Sequence, residues 1–536
     1  MWNIFVPTKL ETMKRIILAA ALTATLTACG KSGLDAPDPE AAWSESLNHE
    51  MIILGNRLEN PYKVTNVTKA LARLYPTKAD RIEVKPTNLY VRFLPKGDVQ
   101  FDRLENLGIQ MIDHPLDFKI LREGDYYHDP DVPDGDITWQ YAVVSPDFDF
   151  PEDIAYEIID ECYIAENDPA TKADSDIDWS RVEAESYRLT GNQEMLSSVT
   201  KGNYKESFPS GRISIIDDGL GAEPVGVAGV RVSCNSFVKV GYAFTDEDGY
   251  YKIDRSYSTE VRYRLVFKNT KGFCIGFNLL LTPASNSTLG KNPPEGVDVV
   301  IDRNSDRKLF SRCVVNNAGY EYYCKCAKDG YKIKTPPSNL RIWLFQNLRA
   351  SSTPMLQQGA WIDNSILQDY LGPYLALLKI FLPDITLGLA GSQDYASIFN
   401  LTMHELAHAS HFVQAGKSFW DEYIHFILTS FVTSGWVVYG TGTEEGAGRC
   451  AVGEMWAYYV QTILFREHYG NMAFFGGSYW FSPQILLNLD DRGIDRFKIF
   501  KALKSEVIDV ESLQDELISL YPQSKSIINQ AFDRYE

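Results

Sequence analysis

The pentapeptide His404-Glu405-Leu406-Ala407-His408 sets two imidazoles four residues apart, with a carboxylate directly after the first. It lies in a stretch, 395–412, that has neither Gly nor Pro and reads as helical. Residues four apart share one face of a helix, so both rings can reach a single metal ion while Glu405 stands beside the water that ion would hold. Chance is a poor explanation. With 8 His in 536 residues, such a pattern arises by accident in about one chain in 100 at ordinary Glu abundance. The residue types and spacing are those of a zinc hydrolase. The elements that must position them also read in order. Pro383 to Ala390 alternates as a short strand, Gly391 to Asp394 supplies turn and N-cap residues, and the helix follows.

A catalytic zinc takes three protein ligands and leaves a fourth position to water, so a third donor is needed. His411 lies on the same stripe as His404 but is seven residues on. In an unbroken helix that is a rise of about 10.5 Å, too far for three short imidazole arms to converge at roughly 2 Å each. His411 is expected beside the ligands or at the surface. Acidic candidates lie downstream, in 440–461. From Arg449 onward the pattern is a helix rich in aromatic and apolar residues, and Glu454 is its only carboxylate before Arg466. A lone buried carboxylate is costly unless something pairs with it, and a metal ion would do so. Ala457 shares its face and would allow a close approach to the metal helix. Glu444 and Glu445 compete, but they follow Thr441 and Thr443 at an expected helix start, where the dipole favours negative charge without any metal.

The order of strand, HELAH helix, long insertion and second helix carrying Glu454-Met455-Trp456-Ala457 resembles the gluzincin metallopeptidases, the thermolysin-like group. The resemblance covers roughly 336–536. It implies zinc ligands His404, His408 and Glu454, with Glu405 as the general base that polarises the attacking water. It also implies a mostly helical peptidase domain with a small sheet, whose edge strand binds the backbone of a peptide or glycoprotein substrate. The family's usual Asn-Glu before the third ligand's helix turn is missing, which leaves subgroup and specificity open. The transition-state donor is unassigned, with His425, Tyr439 and Tyr458 as candidates. The other reading is a non-catalytic surface binding or adhesion lipoprotein with a vestigial metal site.

Near the start, Met13-Lys14-Arg15 leads into an apolar run, 16–28, and then Cys29-Gly30. The run is shorter than the about 20 residues that span a bilayer. A basic start, an apolar run and small residues before a cysteine predict a lipoprotein signal over 1–29, with Cys29 as the lipidated residue and 30–42 as a tether. Gly30 in the second mature position resembles outer-membrane lipoproteins. The expectation is therefore a lipid-anchored protein of the cell envelope. A net charge of −19 argues against nucleic acid as a partner. Seven cysteines remain beyond Cys29, and no CxxC spacing suggests a structural metal. Cys234 and Cys274 could either bridge or remain free buried thiols.

The length suits a multidomain α+β protein. An N-terminal α+β region over 43–200 contains a strand at Asn88 to Leu94. Its Asp-rich stretch from Tyr126 to Asp136 misses calcium-loop spacing and reads as a solvated turn. From 208 to 303, alternating segments at Val225–Ser233, Tyr250–Asp254 and Val261–Phe267, with a turn at Thr245–Gly249, predict a β-sandwich. The phrase GVRV … TDEDGYY resembles the carboxypeptidase regulatory-like, transthyretin-like domain, which implies an accessory role. Residues 304–536 form the zinc-peptidase-like part. It opens on an amphipathic helix at Leu309–Lys328, with a strand at Leu340–Phe345. The apolar stretch Ile424–Tyr439, broken by Ser434 and Gly435, is expected in the core.

Overall fold

The computed structural model describes residues 51–79, 82–133, 136–172, 177–196, 206–276, 284–347, 351–359, 383–433, 439–470 and 479–535. The predicted signal, Cys29 and the tether 30–42 lie outside the described residues, as does 434–438 of the apolar stretch. The fold is mixed α+β.

The N-terminal region runs β1 (Ile53–Arg57), α1 (Val64–Leu74), α2 (Pro76–Ala79), β2 (Asn88–Leu94), α3 (Asp98–Asn106), β3 (Phe118–Arg122), β4 (Gln140–Val144), β5 (Ala155–Cys162) and α4 (Trp179–Leu189). β2 is central to an antiparallel sheet of order β4-β2-β5, and β1 pairs with β3. Its bounds match those expected from the alternating sequence. Leu89, Val91 and Phe93 enter one apolar cluster and Tyr90 another, as a period of two requires.

Next come β6 (Ser210–Ile216), β7 (Pro224–Gly226), β8 (Val230–Ser236), β9 (Lys239–Phe244), β10 (Tyr250–Lys252), β11 (Val261–Asn269), β12 (Cys274–Ile275), β13 (Asn286–Asn292) and β14 (Val299–Ile301). They divide between two sheets. One has the order β10-β6-β14, with β7 also on β6. The other holds β8, β9, β11, β12 and β13. The tip of the β8–β9 hairpin, Phe237 and Val238, is buried among Tyr62, Tyr90 and Tyr187 of the N-terminal region. Below it Lys239 is 1% exposed and pairs with Glu166 and Glu183, which offsets the cost of burying an ammonium.

The C-terminal part contains α5 (Arg307–Lys325), the small hairpin β15 (Ala327–Lys328) and β16 (Tyr331–Lys332), then β17 (Arg341–Phe345), β18 (Ile385–Gly388), α6 (Tyr395–Ala415), α7 (Lys417–Thr433) and α8 (Ala447–Tyr469). Four shorter helices close the described chain: α9 (Gln484–Asp491), α10 (Arg496–Ala502), α11 (Val510–Leu520) and α12 (Lys525–Phe532). The helix expected at Leu309–Lys328 stops at Lys325, because the chain turns into the hairpin. β17 and β18 pair in parallel, yet they are not the separate small sheet expected from the sequence. β12 pairs with both β11 and β17, so one seven-stranded sheet, β18-β17-β12-β11-β8-β9 with β13 on β11, runs through residue 303. One apolar core likewise joins Val232 and Tyr263 to Phe310, Leu406 and Trp456.

The outer edge of β18 is covered. Ser352 and Thr386 exchange backbone hydrogen bonds of 2.9 and 2.8 Å, and the Met355 amide donates to Asp384 O at 3.1 Å. The edge left open in the sequence reading is thus filled by Ser351–Met355 of the same chain.

Candidate metal centre

α6 is fixed at both ends. The Asp394 side chain accepts from the Ser397 amide at 2.8 Å at its N-cap, and Gly416 takes a left-handed φ of 85° at its end. Between them the helix is clamped on several sides. The Tyr322 hydroxyl of α5 reaches Ser410 Oγ at 2.8 Å. The Trp456 indole of α8 donates to the Ala407 carbonyl at 3.0 Å. Ala457, three residues after Glu454 on α8, is fully buried.

Between α6 and α8 three side chains converge. His404 Nε2 and His408 Nε2 are 3.2 Å apart. Glu454 places Oε2 3.5 Å from His404 Nε2 and Oε1 3.5 Å from His408 Nε2. Around a tetrahedral ion with bonds of about 2.0–2.2 Å, ligand atoms sit roughly 3.3 Å from one another. The observed separations are those of such a shell, and the three residues could hold a metal ion. The environment supports this. His404 is 4% exposed, and Glu405, His408 and Glu454 are 0% exposed. His404 Nδ1 donates to Gln461 Oε1 at 2.9 Å, which leaves the Nε2 lone pair of the neutral ring facing the other ligands. Lone pairs and a carboxylate buried face to face repel unless a cation lies among them.

Electrostatics point the same way. Burial would raise the carboxyl of Glu454, but the His408 and His404 rings outweigh it and hold Glu454 well below the usual carboxylate range. Burial would depress His404, yet its contact with Glu454 and the charges of Glu405 and Glu454 raise it above an ordinary histidine. Glu405 is pushed up by burial, which the neighbouring histidines and a hydrogen bond with Thr353 only partly offset. Two carboxylates around two imidazoles therefore favour positive charge, either a proton on a ring or a metal ion in its place.

Three supporting contacts escaped the sequence reading. Gln461 lies seven residues after Glu454 on α8, two turns along the same face, a spacing that could have revealed it. Tyr423 of α7 donates to Glu454 Oε1 at 2.6 Å. Thr353 Oγ1 meets Glu405 Oε2 at 2.6 Å. Both come from distant segments with no local signal.

The remaining candidates fall elsewhere. His411 is not at the surface. It is 0% exposed, neither ring nitrogen has a hydrogen-bond partner, and it packs on Phe419 and Trp420 at 4.9 and 5.7 Å. Burial and the nearby His408 push it down to about 3, so it is a neutral core residue. Glu444 accepts from the Thr441 and Gly442 amides in the turn before α8, whose N-cap is Gly446, while Glu445 is exposed. His425 is half-buried on α7. Tyr458, among the donor candidates, lies edge-on to His404 at 4.6 Å with its hydroxyl 3.1 Å from that of Tyr479. Tyr439 joins that aromatic group through Phe481. Cys234 and Cys274 are free and buried, and no disulfide occurs among the described residues. Compared with protein-family models, curated proteins and solved structures, the chain matches none.

Proposed function

We propose that the chain is a zinc-dependent peptidase of the gluzincin, thermolysin-like kind, anchored in the cell envelope through a lipid on Cys29 and acting on peptides or glycoproteins. The observation that carries the reading is the buried convergence of His404, His408 and Glu454, with Glu405 next in sequence to the first ligand. Two imidazoles and a carboxylate are the donor set of a hydrolytic zinc centre, and three ligands leave one position open.

Zinc held there supplies Lewis acidity, polarising a carbonyl and making water acidic near neutral pH. The chain's own residues do the rest. Glu405 takes a proton from the attacking water and returns it to the leaving amine. Gln461 fixes the tautomer of His404, and Tyr423 orients Glu454. The apolar residues around them keep bulk water away and strengthen each of these contacts. In this reading the strands over 208–303 are a carboxypeptidase regulatory-like accessory part, although one of their sheets continues into β17 and β18.

The test is metal analysis of the purified protein with cleavage of a peptide library. About one equivalent of zinc and chelator-sensitive cleavage are expected. Glu405→Gln should keep the zinc and lose hydrolysis by at least about 100-fold, the lower range for a general base. Wild-type cleavage by that variant sinks the mechanism, and a protein that takes up no zinc is the binding lipoprotein instead.

A further inference from the structure

We propose that Thr353 is a positioning residue for Glu405, holding Oε2 so that Oε1 alone is presented for proton transfer; the proposal rests on the peptidase reading above. The two carboxylate oxygens of Glu405 have different surroundings. Oε2 is 2.6 Å from Thr353 Oγ1, whereas Oε1 is buried with no hydrogen-bond partner in the protein. Glu405 is 0% exposed, so no bulk water is available to orient it. The terminal torsion of a glutamate is broad, so without a fixed partner the plane of the carboxylate turns and its second oxygen leaves the position from which it meets the proton. Thr353 Oγ1 also lies 3.1 Å from the Glu405 carbonyl, so one hydroxyl contacts both ends of the residue.

The clamp is itself held firmly. The Thr353 carbonyl accepts the Trp420 indole N–H at 3.0 Å. Ser352 is paired to Thr386 through both backbone groups, and the Gly388 amide donates to Ser351 Oγ at 3.0 Å. Two residues on, Met355 takes a left-handed φ of 55° and is fully buried, a conformation kept only where surroundings over-determine it. The strand-like pairing, the indole and the buried methionine thus fix Thr353 before any substrate arrives. It is the hydroxyl of Thr353 that bonds the carboxylate, so its role can be separated from the packing of the segment by conservative substitution.

Thr353→Val keeps the shape and removes the hydroxyl; Thr353→Ser keeps the hydroxyl and removes the methyl. Loss of alignment at the reacting group is expected to lower kcat of Thr353→Val about 10–100-fold. KM and zinc content should stay within about threefold, as the residue touches no ligand, and Thr353→Ser should keep kcat within about threefold. Should the valine variant fail to fold, Thr353→Ala gives the same comparison. Crystal structures of the metal-free and zinc-loaded proteins provide a readout that does not depend on turnover. The plane of the Glu405 carboxylate should hold one torsion in the wild type and Thr353→Ser, and turn away from it or spread over a range in Thr353→Val. A single, unchanged orientation in the valine variant, wild-type kcat in it, or equal loss of kcat in both variants overturns the proposal. If the wild type cleaves no peptide, the peptidase reading fails, while the carboxylate orientations still decide whether Thr353 is the clamp.

Discussion

Removing the hydroxyl of Tyr423 tests the metal centre from outside its ligand set. Tyr423 is 3% exposed and its hydroxyl sits 2.6 Å from Glu454 Oε1, on a carboxylate that is 0% exposed. A buried hydrogen bond to a charged group contributes about 1.5–3 kcal/mol. Only the part of that energy that differs between the zinc-loaded and metal-free proteins appears in affinity, so at about 1.4 kcal/mol per decade roughly 10–100-fold is its ceiling. The same range, about 10–100-fold, is typical when a partner behind a metal ligand is lost. Tyr423→Phe should therefore weaken zinc binding by that factor in a competition titration against a chromophoric chelator. Stability of the metal-free protein should fall too, because the carboxylate loses a donor in both states. Zinc affinity within threefold of wild type, with stability alone reduced, would confine Tyr423 to the fold and refute the argument that Glu454 is aimed at a metal.

Two further predictions concern the body that carries the site. His468 bridges Asp217 and Glu321 at 3.0 and 2.8 Å; burial opposes its charge, but these bonds raise it to about 9. Because the folded value lies above the unfolded value of about 6.5, its stabilisation is complete below about pH 6.5 and is lost as pH rises through about 9. The difference in melting temperature between wild type and His468→Gln should narrow over that window, and a difference independent of pH would refute the pairing. At Gly319 of α5, an added Cβ would lie 2.7 Å from the Phe273 ring, which is fully buried. Gly319→Ala should cost about 1–3 kcal/mol by overpacking, seen as a lower melting temperature with unchanged zinc content; an unchanged melting temperature would show that the seam has slack.

What was legible in the sequence depended on local period and local chemistry. β2 and α6 announced themselves because an alternating run and an unbroken 3.6-residue pattern each bury a definite face. Glu454 was found because a solitary carboxylate in an apolar helix demands a partner, and the structure sets it against both imidazoles. The surface alternative for His411 fails for a related reason. Its position on the ligand stripe said nothing about Phe419 and Trp420, which arrive from the next helix and bury it. Thr353 and Tyr423 were invisible since each lies outside both ligand helices and meets its carboxylate only through tertiary packing. The two-residue β12 is too short to show any alternation, so the continuity of the sheet through residue 303 had no sequence signal.

That continuity decides how the molecule comes apart. β12 is stitched to the next segment through Cys274 N to Leu340 O at 2.9 Å and Gly276 N to Ile342 O at 2.8 Å, and α5 shares its buried apolar residues with the strands before it. Cleaving the polypeptide between these parts would bare a sheet edge on one fragment and an oily helix bed on the other, neither of which water tolerates well. The β-rich half and the half bearing the histidines therefore melt together as a single cooperative block rather than as beads on a string.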